Sequence, residues 1–315
     1  MNSDSTTSGR PMPPPLTVEE QAVRTAQWIH ECDQLREMRA SVEEGFPDLP
    51  VAEVDLFIAT LVIGNNLGED WVETNIEAPG AQTNGQRPKT TKTSVYLRRS
   101  PGDRRARLEH YVRVMELARR IFELGQEPFA ESLKENLRRR DLEGAAFEAD
   151  VVRMLISLPT VINLRDERKV KGDDYDIDLW LKPGIPWAIE VKTRAEDSPY
   201  TSARLQKTLS NARKQLPPDG LGGIFLKVPT PWTEDADYRE GHHADVTNFL
   251  ANTSRIQAVV LVWDVWNDDG ASWSWSRSQR IFKSTQIEPY LDELLTHYQR
   301  IWDGPHDLIG PNAPF

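Results

Sequence analysis

Several features that mark common protein classes are scarce in this sequence. The 315 residues include one cysteine, Cys32, which excludes a disulfide framework and a zinc site built on thiolates. Neither a signal peptide nor an apolar run of about 18 residues occurs, so we expect a soluble, cytoplasmic protein with no membrane partner. Walker loops, dinucleotide-binding glycine patterns, serine-hydrolase elbows and internal repeats are also missing, so none of these motifs assigns a function.

Acidic residues dominate the composition, but the charge is unevenly distributed. The net charge of the whole chain is -11. Residues 1–80 carry 4 basic and 15 acidic side chains, residues 81–214 carry 27 and 20, and residues 215–315 carry 7 and 14. The basic middle third can attract a polyanion despite the low overall pI. Solvated helix surface explains the same excess equally well.

The first part of the chain is predicted to be helical. Residues 1–16 are rich in Ser, Thr and Pro and cannot bury enough apolar area, so we expect a disordered tail. In the helical N-terminal region, residues 17–127, helices are predicted from Thr17 to about Glu44, at Val54–Leu67 and at Asp103–Leu124, with a loop or flexible hairpin at residues 78–94. No motif assigns this region a role. Scaffolding, target sensing, and docking of a protein partner or a second copy stay open.

Residues 128–315 have the pattern of an α/β domain. Helices are predicted at Pro128–Leu158, 202–216, Val246–Asn252 and Ile287–Trp302, and strands at Gly222–Val228 and Arg255–Trp266. A hairpin turn is predicted at Asn267–Gly270, where flanking tryptophans are expected to pack under the last helix rather than stack on bases. His242 and His243 are expected in an exposed acidic loop, since they lack a third metal ligand at helical or hairpin spacing.

Two apolar runs with acidic ends, inside Lys171–Arg194, are the most informative stretch. Strands are predicted at Asp176–Leu181 and Trp187–Lys192, joined by a turn at Pro183–Gly184. Because alternate side chains of a strand share a face, Glu190 and Lys192 point the same way. If the turn centres on Gly184, Asp178 lies directly opposite Glu190. A slip in register stays open, with Asp176 as the alternative.

Carboxylates that face each other in this way favour a cation between them. The two charges repel otherwise, and hard oxygen ligands suit Mg²⁺ or Mn²⁺. A cation held by Asp178 and Glu190 could polarise a phosphate and lower the pKa of a bound water, while Lys192 would stabilise the attacking hydroxide or the developing negative charge. The spacing alone therefore predicts a cluster of metal ligands and one lysine.

A third carboxylate, Glu148, lies on the helix that precedes these strands. It borders an apolar stripe, where a carboxylate is costly unless it is paired or bound to a metal. An ion pair with Arg153 or another arginine is the alternative explanation. Glu143 is a rival for the same role.

Asp178, followed by Glu190-Val191-Lys192 at the end of an apolar strand, resembles the PD-(D/E)xK nuclease superfamily. The run Gly144-Ala145-Ala146-Phe147-Glu148 is similar to the first helix of archaeal Holliday-junction resolvases. The resemblance covers roughly residues 140–265, under half of the chain. It implies a restriction-endonuclease-like α/β fold, with a three-layer core around a central mixed sheet, preceded by the helical N-terminal domain.

The same resemblance implies a metal-dependent endonuclease. Asp178, Glu190, Lys192 and Glu148 would be catalytic, and the three carboxylates would bind Mg²⁺ or Mn²⁺. The substrate would be nucleic acid, with DNA favoured over RNA, and enzymes of this kind often act in restriction, anti-phage defence or DNA repair and recombination. Two alternatives stay open: a non-catalytic nucleic-acid-binding or assembly subunit with a nuclease fold, and an RNase.

Overall fold

The fold combines helices with one mixed sheet. The computed structural model describes residues 14, 17–77, 96–97, 104–156, 160–165, 170–180, 186–196, 198–218 and 220–302. Within these ranges the chain forms ten α-helices and a six-stranded sheet, which confirms the predicted α/β class. No helix in these ranges is long and apolar enough to cross a membrane. The predicted loop at 78–94, the Pro183–Gly184 turn and, apart from Pro14, the predicted tail at 1–16 lie outside the described residues.

Two compact units divide the chain between Arg153 and Met154. We call them the helical unit, within Leu16–Arg153, and the sheet unit, within Met154–Pro305. The sequence placed the start of the nuclease-like domain at residue 128 instead. That assignment concerns function as well as compactness, and it stays a prediction.

The longer helices of the helical unit lie where the sequence predicts them, whereas the short helix at Glu69–Val72 and the π-helical turn after it were not predicted. Its elements are α1 (Val18–Gly45), α2 (Val51–Leu67), α3 (Glu69–Val72), a π-helical turn at Glu73–Glu77, α4 (Arg104–Glu123), α5 (Ala130–Arg139) and α6 (Leu142–Ile156). Thr17 starts α1 through a capping box, in which its hydroxyl accepts the Glu20 N–H at 3.2 Å and Glu20 accepts the Thr17 N–H at 2.8 Å. The fully buried Ile58 and Ile63 of α2 and Ile121 of α4 belong to its apolar core.

The single helix predicted at Pro128–Leu158 is two helices, α5 and α6. The carboxylate of Asp141 accepts the Gly144 N–H at 3.1 Å, as an N-terminal cap does, so a new helix starts directly after Arg140. Apolar spacing alone did not reveal this break, because both helices bury apolar residues at helical intervals.

The sheet unit alternates strands and helices. Its elements are β1 (Val161–Leu164), β2 (Ile177–Trp180), β3 (Pro186–Thr193), α7 (Ser202–Gln215), β4 (Leu221–Lys227), α8 (Thr230–Glu234), α9 (Ala236–Ala251), β5 (Ile256–Asp268), β6 (Trp273–Lys283) and α10 (Pro289–Trp302). The strand order follows the chain from β1 to β6. β1, β2 and β3 are antiparallel, β3, β4 and β5 are parallel, and β6 is antiparallel to β5. This arrangement is compatible with a three-layer α/β core.

One face of the sheet packs against α7, α8 and α9, and we call it the α7–α9 face. Leu205 and Leu209 of α7 and Val246 of α9 are fully buried in one apolar cluster with sheet residues that include Ile224 and Leu261. Residues paired across parallel strands share a face, so this cluster identifies which side chains of β3 point toward the helices.

The prediction that His242 and His243 lie in an exposed loop is wrong. His242 and His243 lie inside α9, and His242 is buried, with one ring nitrogen 2.6 Å from the Tyr238 carbonyl oxygen. Asp235 caps this helix by accepting the Tyr238 N–H at 3.2 Å. The acidic composition of the segment concealed its buried stripe.

β5 and β6 form a hairpin that extends past the other strands. β4 pairs with β5 as far as Val262, and from Trp263 to Asp268 β5 pairs with β6. Trp266 and Trp275 lie directly across from each other, with ring centroids 6.3 Å apart. We call residues 263–278 the ribbon.

A buried ion cluster ties the base of the ribbon to β4. Asp264 contacts Lys227 Nζ at 3.2 Å and Arg277 Nε at 3.1 Å, and all three side chains are less than 10% exposed. Burial would raise the pKa of the Asp264 carboxyl, but the two cations hold it well below its usual range.

Candidate active site

Strands β2 and β3 bring Asp178, Glu190 and Lys192 to one face, in a register that differs from the prediction. Asp178 pairs with Ala188, so the expectation that it lies directly opposite Glu190 is wrong. The register differs by two residues, and a shift of two keeps every side chain on its face. Glu190 pairs with Ile224 of β4, which belongs to the α7–α9 face. Asp178 and Glu190 therefore still point to the same side, as diagonal neighbours.

Asp176 takes the position that continues this ladder opposite Glu190. Its N–H donates to the Ile189 carbonyl at 3.1 Å, and its Oδ2 accepts the Val191 N–H at 2.8 Å. Asp176 as a whole residue is 7% exposed. One oxygen of Asp176 therefore accepts a hydrogen bond from the β3 backbone. Asp178 lies on the face that carries Glu190.

Glu190 and Lys192 form an ion pair, Lys192 Nζ to Glu190 Oε1. The side chain of Glu190 is fully buried, and that of Lys192 is 29% exposed. Burying a carboxylate costs several kcal/mol unless a positive group is close. The lysine supplies that charge from the edge of the cluster, with part of its side chain in solvent.

Asp178 is held by two residues that the sequence analysis missed, Tyr175 and Arg165. The Tyr175 hydroxyl donates to Asp178 Oδ1 at 2.6 Å, and Arg165 Nη1 lies 3.5 Å from the same oxygen. The Arg165 guanidinium also lies 3.8 Å from the centre of the Tyr175 ring and pairs with Asp173. These contacts fix the position of one Asp178 oxygen. The other, Oδ2, is buried and accepts no hydrogen bond from the residues that the structure describes.

Burial and charge shift the pKa values of these two supporting groups. Burial raises the pKa of the Tyr175 phenol, and its hydrogen bond to Asp178 raises it further, so the hydroxyl keeps its proton and donates. Burial would lower the pKa of the Arg165 guanidinium, but Tyr175, Asp178 and Asp173 raise it above its usual value. Asp178 therefore has one neutral donor and one permanent cation beside it.

Glu148 lies in the helical unit. It is 1% exposed, accepts a hydrogen bond from Asn136 Nδ2 at 2.9 Å, and pairs with Arg140 Nη1 at 2.5 Å. Arg153, the partner considered first from the sequence, pairs with Glu123 instead. An arginine contact accounts for the buried carboxylate, and its role as a metal ligand stays a prediction. Its rival Glu143 lies in the first turn of α6 and is partly exposed.

The donor chemistry of the sheet unit suits a hard divalent cation. Asp178 and Glu190 offer carboxylate oxygens on one face, and Asp178 Oδ2 is a buried acceptor that receives no donor from the described chain. Among the described residues, no three or more His, Cys, Asp or Glu side chains are grouped so that they could hold a metal ion. Asp178 and Glu190 are thus the two carboxylates of the sheet unit that could hold a cation.

A scan against protein-family models and searches of curated proteins and of solved structures found no match to this chain.

Proposed function

We propose that the chain is a Mg²⁺- or Mn²⁺-dependent endonuclease, with DNA as the favoured substrate. The observation that supports this most is that Asp178, Glu190 and Lys192 share one face of adjacent strands. Two carboxylates and one ammonium group at the same place are the parts that metal-assisted phosphodiester hydrolysis needs.

The fold supports the same proposal. A helix, three antiparallel strands, a second helix and a parallel strand follow in the order α6, β1, β2, β3, α7 and β4. This order is compatible with the restriction-endonuclease-like core implied by the resemblance. Asp178 and Glu190 then lie on interior strands of the sheet, where main-chain hydrogen bonds to neighbours on both sides hold their backbone rigid.

Each residue has a distinct proposed role. Asp178 and Glu190 would bind the cation, and the resemblance implies Glu148 as a third ligand. When bound, the cation would lower the pKa of a water molecule and polarise the scissile phosphate. Lys192, already beside Glu190, would stabilise the negative charge that builds on the water and the phosphate. Tyr175 and Arg165 would orient Asp178 through their contacts with its Oδ1.

Replacement of Lys192 tests the catalytic role. Plasmid, single-stranded DNA and RNA should be incubated with the protein, with and without Mn²⁺. We expect Lys192→Ala to lower cleavage by about a hundredfold or more, the typical cost of one lost electrostatic stabiliser, with nucleic-acid affinity nearly unchanged. Lys207→Ala is the matched control, because this exposed lysine of α7 lies outside the proposed site. Cleavage by the control should equal that of the unmodified protein.

Glu190→Ala separates an enzyme from a binding subunit. It should abolish metal binding, measured by calorimetry, together with cleavage. If the unmodified protein cleaves none of the three substrates with Mn²⁺, and Lys192→Ala changes only binding, the catalytic proposal fails. Cleavage of RNA alone would instead identify an RNase.

A further inference from the structure

A shallow basic pocket lies on the sheet unit, at the ends of α7 and α9. Its volume is about 420 Å³, and its lining includes Lys171, Arg213, Lys214, Thr253, Ser254 and Arg255. Arg213 and Lys214 are in the last turn of α7, whereas Thr253, Ser254 and Arg255 connect α9 to β5. Lys171 comes from the segment before β2. Three separate parts of the chain therefore converge on one pocket with four cationic groups.

The four cations have no carboxylate partner among the residues that the structure describes. Their hydrogen bonds go to neutral oxygens: Arg213 Nη1 donates to the Asn252 carbonyl at 3.4 Å, Arg255 Nη1 to the Leu216 carbonyl at 3.3 Å, and Lys214 Nζ to Asn211 Oδ1 at 3.3 Å. Elsewhere in the basic middle of the chain, Arg140, Arg153 and Arg165 are all ion-paired. Lys171, Arg213 and Lys214 belong to the basic stretch of residues 81–214, and Arg255 adds a cation from the last third of the chain.

Grouping like charges has a free-energy cost that a bound anion removes. Burial lowers the pKa of the Arg255 guanidinium, and the positive charge of Arg213 lowers it further. The C-terminal dipole of α7 favours cations in its last turn, which explains Arg213 and Lys214 without any ligand. Arg255 donates to the carbonyl of Leu216, the C-cap of α7, and Arg213 to that of Asn252, the C-cap of α9, so the two helix ends place both arginines. These contacts are to neutral oxygens and leave the charge of each guanidinium unneutralised, and Lys171 adds a further charge from another segment.

We propose that this pocket binds a phosphate group of a nucleic-acid strand. A guanidinium group can donate two parallel hydrogen bonds to two oxygens of one phosphate, and a lysine adds a point charge. Ser254 supplies a neutral hydroxyl donor. Contacts of this kind position a strand without selecting its sequence. A free nucleotide offers the same phosphate chemistry, and the experiment below distinguishes the two sources.

The pocket is separate from the proposed catalytic cluster but within reach along one strand. Lys171 and Asp176 are five residues apart, so their Cα atoms are at most about 18 Å apart. At about 3.4 Å per nucleotide along one strand of a duplex, this distance spans roughly five nucleotides. A strand bound in the pocket would need to span no more than this distance to reach Asp176. Phosphate binding itself needs neither the metal nor the carboxylates.

Binding without divalent ions tests the proposal independently of cleavage. The full chain is mixed with a fluorescent 20-nucleotide single strand in EDTA, and affinity is measured by anisotropy at several salt concentrations. For Arg213→Gln combined with Arg255→Gln, we expect affinity about tenfold weaker or more, and a salt slope reduced by about one to two. The matched control is Lys207→Gln with Arg239→Gln, which removes two exposed charges from α7 and α9 outside the pocket and should change affinity less than twofold.

Competition identifies the source of the phosphate. If an unlabelled oligonucleotide displaces the probe at far lower phosphate concentration than a mononucleotide or inorganic phosphate, the nucleic-acid source is supported. Equal displacement by a mononucleotide overturns that source and leaves a nucleotide site.

The proposal fails if the pocket variant, folded by circular dichroism, binds like the unmodified protein, or if the unmodified protein binds none of the three ligands. Lys171→Gln with Lys214→Gln repeats the test if the arginine variant does not fold, because both lysines are exposed. Loss of cleavage by the Lys192 variant with this binding intact would concern the catalytic proposal alone.

Discussion

Replacing Lys192 should destabilise the sheet unit in the absence of divalent ions, because it removes the ammonium from a fully buried carboxylate. Deleting one partner of a buried ion pair costs about 3–5 kcal/mol. Since 29% of the Lys192 side chain is exposed, solvent already screens part of the interaction, and we expect about 2 kcal/mol for Lys192→Ala. With a urea slope of about 2 kcal/mol per M, the unfolding midpoint should fall by about 1 M.

Replacing Glu190, alone and together with Lys192, completes a double-mutant cycle. Glu190→Gln leaves an ammonium that solvent can reach, so we expect a loss below about 1 kcal/mol. The double variant, Lys192→Ala with Glu190→Gln, removes the buried charge that the single lysine variant leaves behind. It should be more stable than Lys192→Ala alone, by about 1 kcal/mol or more, because neighbouring replacements are not additive.

Urea unfolding followed by tryptophan fluorescence is a suitable assay, since most of the 10 tryptophans lie in the sheet unit. Adding Mn²⁺ at a hundred times its dissociation constant should stabilise Lys192→Ala by about 2.7 kcal/mol and have no such effect on Glu190→Gln. Lys207→Ala is the control for loss of a lysine. If Lys192→Ala shifts the midpoint by less than about 0.2 M, or if the double variant is no more stable than the single one, the buried pair does not stabilise the site as described.

Two further predictions concern groups around the site and the sheet. Tyr175→Phe keeps the ring beside Arg165 but removes the donor to Asp178, so the free energy of unfolding measured in urea should fall by about 1–2 kcal/mol. Tyr290→Phe, at an exposed tyrosine, is the control and should leave that free energy unchanged. Asp264→Asn should cost about 3 kcal/mol at pH 7 by leaving two buried cations without their carboxylate. Because the folded pKa of Asp264 is lowered, its contribution is complete above about pH 4 and declines below that, so the difference between the variant and the unmodified protein should shrink in titrations toward pH 3. A constant difference from pH 7 to about pH 3 would contradict this assignment.

Local patterns were enough to predict most elements of the fold. Short apolar runs beside a Pro-Gly pair identified β2 and β3, and Thr17 marked the start of α1. The face shared by Glu190 and Lys192 follows from strand geometry alone. These predictions succeed because each depends on residues close together in sequence.

The register of β2 against β3 could not be obtained in the same way. A Pro-Gly pair indicates a turn without fixing its centre, and a shift of two residues leaves the apolar pattern unchanged. Both the predicted and the observed register bury the same faces. Only the pairing of Asp178 with Ala188, seen in the structure, decides between them.

Residues brought together over long distances also escaped the sequence analysis. Arg165 directly follows β1, a strand of four residues that is too short to show a periodic pattern. Its contact with Asp178 depends on how β1 pairs with β2. Tyr175 was closer to being predictable, since it lies three residues before Asp178, but nothing in the sequence indicated that its hydroxyl points inward.

The ribbon places a long strand at an open margin of the sheet. β6 pairs only with β5 in the described sheet order, so a row of its main-chain N–H and C=O groups faces away from its partner. Such a row can template the addition of a foreign strand. Arg277 and Lys283 of β6 are ion-paired with Asp264 and Asp292, so their charges do not guard this edge against a second copy. The main-chain groups of β6, about half of which lie beyond the parallel strands, are therefore what an added strand would contact.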